Sequence, residues 1–200
     1  MVEDRRFSSA IEKATADLRA ADRIAIAANS GGVVEVSELR LRVLNRTAVV
    51  NMDDWSIRWA EGGEPDQDMK VVLLHYLLGS KGRLENSWIT FREVEGGSLY
   101  YSAYQQAALV PLIRAFERDP QLVTRNAESL GGKNIARGDM SYDFAVFPFL
   151  LVNVTVWKGD DEVPTSANIL FDSSASTTLR AEDLAHLAMD LIRVIKRGSL

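Results

Sequence analysis

A chain of 200 residues, 46% apolar and 26% charged, is long and apolar enough to bury a sizeable core, which excludes a disordered chain. Its net charge of −5 and pI near 5.2 speak against a nucleic-acid partner, since phosphate binding needs a basic surface. The absence of cysteine removes disulfides, zinc–thiolate centres, thiol nucleophiles and protein-held iron–sulfur clusters.

The opening Met1-Val-Glu-Asp-Arg-Arg6 is charged and leads into an amphipathic segment, so no signal peptide is visible and the cytoplasm is the expected compartment. No stretch approaches the ~18 apolar residues of a membrane span, and no membrane partner is expected. Phe7, Ile11, Ala14 and Leu18 form one helical stripe, which predicts a peripheral helix over 5–22. Asn29–Gly32 reads as a turn. From Ser37 the period becomes two, with Leu39, Leu41 and Val43 against Glu38, Arg40 and Arg42; short strands follow at Thr47–Asn51 and Trp55–Trp59. A helix over 66–78 is apolar around most of its circumference, the mark of a central, buried element.

Trp88–Val94 returns to strand spacing. Tyr104–Arg118 reads as a helix that Pro111 should bend near Ala107, and Pro120 opens a short helix that ends at Leu130-Gly-Gly132. Tyr142–Val146, Leu150–Trp157 and Ala167–Phe171 read as strands, and Ala181–Lys196 as the last helix. With no repeat and no long linker, the pattern predicts one domain, residues 1–200, of the α+β class: a curved, mainly antiparallel sheet packed by about five helices.

Candidate chemistry is sparse. His75 lies within the apolar helix, where an imidazole needs a partner for its ring N–H, so it is either a satisfied core histidine or a site residue. His186 shares a face with Glu182, Asp183, Asp190 and Arg193 and is expected to point to water. Strand alternation places Glu93 on the side of Ile89 and Phe91. It is then either solvated at the strand end or a general base or ligand with a raised pKa, hydrogen-bonded to His75. Lys158–Pro164 carries Asp160, Asp161 and Glu162, and Asp172 follows the next strand. These four carboxylates are either solvated loop residues or ligands for Mg²⁺. Asp139 is a further candidate carboxylate. Tyr100, Tyr101 and Tyr104 surround a glycine-rich turn. Trp88, Tyr100 and Tyr101, with His75, are the candidate lining of a pocket for a planar cofactor, against the plainer reading of core and edge packing. No phosphate-loop or nucleophile-elbow motif is present.

The ordered set Leu74-His-Tyr-Leu77, Trp88-Ile-Thr-Phe-Arg-Glu93, Gly138-Asp139, Trp157-Lys-Gly-Asp-Asp-Glu-Val-Pro164, Leu170-Phe-Asp172 and Glu182-Asp-Leu184 resembles the family called domain of unknown function 3786. The likeness spans roughly residues 20 to 195. The acidic loop departs from the family's usual Glu-Phe-Pro in reading Glu162-Val-Pro164, and Phe147-Pro-Phe-Leu-Leu151 carries fewer prolines than is usual there. The resemblance implies no assigned activity. Through relatives with an attached iron–sulfur domain it points to metallocofactor metabolism, an implication this cysteine-free chain does not itself carry. The functional expectation is a small-molecule or metallocofactor-binding accessory protein. The alternatives are a carboxylate-based, Mg-dependent enzyme and a protein-interaction module.

Overall fold

The computed structural model describes residues 2–198. Helix α1 (Val2–Ala20) ends near Asp22 as expected and is followed at once by a second helix, α2 (Arg23–Ser30), which the sequence reading did not anticipate. The break is chemical: Asp22 is extended and its carboxylate accepts the amides of Ile24 and Ala25, so it ends one helix and caps the next. Strands β1 (Val33–Glu35), β2 (Glu38–Val43), β3 (Arg46–Asn51) and β4 (Ile57–Trp59) form an antiparallel meander in that order.

Helix α3 (Gln67–Gly79) starts at the Asp66 cap, whose carboxylate accepts the Met69 amide. Strand β5 (Trp88–Thr90) precedes a long helical run made of α4 (Gly97–Tyr104), a π-helical stretch (Gln105–Leu109) and α5 (Val110–Arg118). The bend expected near Ala107 takes the form of that π-helical stretch. Pro111 has no N–H to return to the Ala107 carbonyl, and the extra residue absorbs the mismatch. Helix α6 (Pro120–Ser129), β6 (Lys133–Asn134), β7 (Met140–Phe147), β8 (Leu150–Trp157), β9 (Ser166–Asp172), α7 (Ala175–Thr178) and α8 (Ala181–Arg197) complete the chain.

The α+β class and the antiparallel pairing agree with the sequence reading, and the strands divide between two sheets. The second has the order β5-β9-β8-β7-β6. Leu44 in the β2–β3 turn joins them: it adopts φ +52°, and its N–H donates to the Val146 carbonyl of β7 at 3.1 Å. Strand β8 is buried on both faces. Its polar face is closed by a network in which Thr155 Oγ1 donates to Asn153 Oδ1 and Asn153 Nδ2 donates to Asp143 Oδ1, each at 2.7 Å.

The buried apolar residues run as one cluster from Ala14 to Ile195, and α3 lies within it. Met69, Val72, Leu73, Leu74, Tyr76 and Leu77 are all buried. The Tyr76 hydroxyl donates to the Ser30 carbonyl of α2 at 2.9 Å and accepts the Phe149 amide of the β7–β8 turn at 3.1 Å, while its ring stacks on Phe147 at 4.3 Å. One side chain thus ties two helices to the second sheet. Among the described residues no helix is long and apolar enough to cross a membrane.

Replacing Tyr76 by Phe keeps the ring but leaves the Phe149 amide and the Ser30 carbonyl unpaired. The variant should lose about 1–3 kcal/mol of stability in urea unfolding, with an unchanged m-value. A variant as stable as the parent would show that neither group depends on the hydroxyl.

Candidate functional site

The position of His75 follows from the packing of α3. Four residues later, Gly79 abuts the Thr178 carbonyl of α7, and any Cβ there would collide with that oxygen. This close approach brings the end of α3 against the segment that leads into α8. His75 Nδ1 then lies 2.8 Å from Asp183 Oδ1. Asp183 is only 8% exposed and is the third residue of α8; its second oxygen accepts the Arg180 amide at 3.3 Å, in the position of a helix-capping carboxylate. A carboxylate can only accept, so His75 donates from Nδ1 and the lone pair of the neutral ring falls on Nε2. Nε2 has no partner among the described residues, and the His75 side chain is 30% exposed.

That exposure is to a cleft of about 660 Å³. Lys13 and Asp17 of α1 form one wall, and Glu95 and Tyr100, just before and within α4, form another. Arg180 and Glu182 stand beside Asp183, while Ala14, Leu78 and Leu179 supply apolar surface.

Of the residues singled out from sequence, the cleft gathers His75 and Tyr100. Tyr101 instead packs under Arg92, whose guanidinium lies 3.8 Å from the ring centroid. Trp88 sits on edge strand β5, paired with Asp172 across the sheet and away from the cleft lining. Tyr104 stacks on Phe91 at 4.1 Å in the core, where burial pushes its hydroxyl pKa up.

Glu93 differs from its expectation. The strand stops at Thr90 and the chain tightens into a 3₁₀ turn over Phe91–Glu93, so strand alternation no longer governs which way Glu93 points. Its carboxylate accepts the Thr90 amide at 2.7 Å and the Thr90 hydroxyl at 2.8 Å. Those bonds hold its pKa below the usual carboxylate value, opposite to the shift expected of a base, and the imidazole's partner is Asp183.

The four acidic candidates do not form one constellation. Asp160 to Glu162 precede β9, whereas Asp172 is its last residue, so the length of the strand separates them. Asp160 accepts the amides of Glu162 and Val163, both at 2.9 Å, which close its loop and lower its pKa. Burial pushes the Asp172 pKa up, but bonds from Ser174 and Glu85 outweigh it and hold the carboxyl low. Asp139 accepts the Lys158 amide at 2.7 Å and fastens a turn. Among the described residues no three His, Cys, Asp or Glu side chains converge to hold a metal ion.

The profile of the family described as domain of unknown function (DUF3786) matches residues 22–194. The chain belongs to that family. No curated protein and no solved structure matches it. The DUF3786 region includes His75, Asp183 and Tyr100 but not the α1 wall of the cleft, Lys13 and Asp17.

Sequence reasoning missed Asp183, because a helical wheel places it beside His186 on a face expected to meet water. The cue was local: an acidic residue third in a helix is a capping position. The same face turns out to be largely covered by α3. Helices α3 and α8 run antiparallel, with His75 facing Asp183 at one end and Asp66 facing Arg193 at 2.7 Å at the other. Between them His186 Nδ1 lies 3.1 Å from Asp68, and Arg193 also donates to Asp190 at 2.8 Å. Asp190 is buried, with Oδ2 unpartnered.

Burial pushes the Asp190 pKa up to about 6; Arg193 opposes the shift, and the charges of Asp66 and Asp68 reinforce it. The native state therefore holds a proton that the unfolded chain gives up near pH 4. This contribution is full at low pH and is lost as pH rises through about 6. Asp190→Asn should accordingly raise stability by about 2 kcal/mol at pH 7.5, with the gain vanishing near pH 4. Melting curves across that range would check it, and a gain independent of pH would refute the assignment.

Proposed function

We propose that this DUF3786 protein binds a small polar molecule in the His75 cleft, with His75 Nε2 as the atom that meets it. The observation that carries this reading is the His75–Asp183 pair. A histidine serving only to join α3 to α8 has no need of an adjoining cleft, whereas this one keeps a nitrogen free beside a cleft of about 660 Å³. That volume lies within the range of small-molecule sites, and Tyr100 offers an aromatic face at the rim.

The lining charges narrow the ligand. Lys13 and Arg180 stand against Asp17, Glu95, Glu182 and Asp183, a balance that repels polyphosphates and suits a neutral or zwitterionic molecule. A metal-containing cofactor fits the same reading if it brings its own ligands, since an imidazole with a carboxylate behind it is a familiar arrangement for one metal bond. The separation of Asp160, Asp161 and Glu162 from Asp172 leaves a preformed Mg²⁺ centre of these residues without support.

Protein purified without oxygen from its native host, examined by native mass spectrometry, absorption and metal analysis, should carry a bound mass. His75→Gln, which keeps a donor for Asp183 but offers no imidazole, should hold that mass roughly tenfold or more weakly. A folded wild-type chain with no bound mass and no metal would overturn the reading.

A further inference from the structure

We propose that His75 is a general base, oriented by Asp183, that removes a proton from the molecule held in the cleft. The inference rests on the cleft being the ligand site and adds a chemical step to it. Both Asp183 oxygens are already engaged, one by His75 and one by the Arg180 amide, so the carboxylate cannot turn away from the ring. The ring is thereby held as the Nδ1–H tautomer, with its Nε2 lone pair unclaimed by the protein. Asp183 also stabilises the imidazolium that forms when Nε2 takes up a proton, without accepting that proton itself. Ala14, Leu78 and Leu179 line the same cleft beside the imidazole.

The chain contains its own control. His186 has a comparable side-chain exposure, 35% against 30% for His75, and has an Asp68 oxygen 3.1 Å from Nδ1, but without the hydrogen bond that joins His75 to Asp183. It does not line the cleft. If a half-buried imidazole near a carboxylate were enough, the two histidines would behave alike; if the cleft and the Asp183 bond matter, only His75 is active.

The probe is 5-nitrobenzisoxazole, a small, neutral, planar compound whose ring opening needs only a base. Nε2 takes the C3 proton, the C–H electron pair becomes the third bond of a nitrile, and the N–O bond breaks to release a phenolate. The imidazolium then returns its proton to water. Wild-type protein should open the ring at least about tenfold faster than His75→Gln, the low end of what a positioned base supplies. His186→Gln should retain the wild-type rate.

Asp183→Asn keeps one acceptor oxygen where the carboxylate has two and removes the charge that favours the imidazolium. The acid limb of its pH–rate profile should move to lower pH and its plateau should fall. Asp183 is a positioning residue, and an unchanged profile in this variant would remove that role. A wild-type rate no higher than that of His75→Gln, in chains with the same circular dichroism, overturns the base assignment. So does loss of turnover in His186→Gln. These failures are separable from failure of the binding reading: a bound mass retained without turnover leaves the ligand site standing and the base refuted, whereas absence of both removes the site itself.

Discussion

The architecture depends on enclosing α3, whose apolar residues occupy almost every direction around its axis. A helix of that kind exposed on any broad side would leave several large side chains in water, at about 1.5–3 kcal/mol each. Helices α1, α2, α7 and α8 therefore pack around it, and Tyr76 reaches beyond them to the second sheet. His75 interrupts this apolar surface, and the fold meets its polarity with Asp183 on one side and a cleft on the other.

Charge is handled differently along α3 and α8 than on the surface. Pairs such as Arg23–Asp53 and Arg83–Glu85 are exposed and salt-screened, worth at most about 1 kcal/mol each. Among the contacts between α3 and α8, the Asp66–Arg193 pair is exposed as well, whereas Asp183 is largely buried, so losing His75 would leave its carboxylate poorly solvated. The two helices are held in register by polar contacts at the two ends of their shared length, His75 with Asp183 and Asp66 with Arg193. A register shift of one residue would break all of them together, which fixes the geometry of the histidine at the cleft.

Much of the fold was legible because periodicity and end signals report local physics. The alternation of β2, the all-round burial of α3, the Pro111 irregularity and the Pro120 start each came from a feature within a few residues. The early end of β5 did not, because Thr90 and Glu93 bond to each other and tighten the chain where spacing alone continued a strand. The division into two sheets was also hidden, since it hangs on Leu44 meeting Val146 about a hundred positions away. The site was half visible: His75 stood out as a polar residue on an apolar helix, but its partner is 108 residues distant and sits in a helix whose covered face looked solvent-facing.

On the proposed reading, the composition of the cleft separates its chemistry from its selectivity. The imidazole and the carboxylate that orients it come from α3 and α8, both enclosed by the core and held in register, and both fall within the family's matched span. Lys13 and Asp17 come from α1, before that span begins. Charges at a cleft rim act on a ligand through distance and net sign, and tolerate exchange, whereas a hydrogen-bonded pair at 2.8 Å loses its function with a displacement of one ångström. On the proposed reading, the exacting pair sits on α3 and α8 while two of the rim charges come from α1, so those charges could change without disturbing how the imidazole is held.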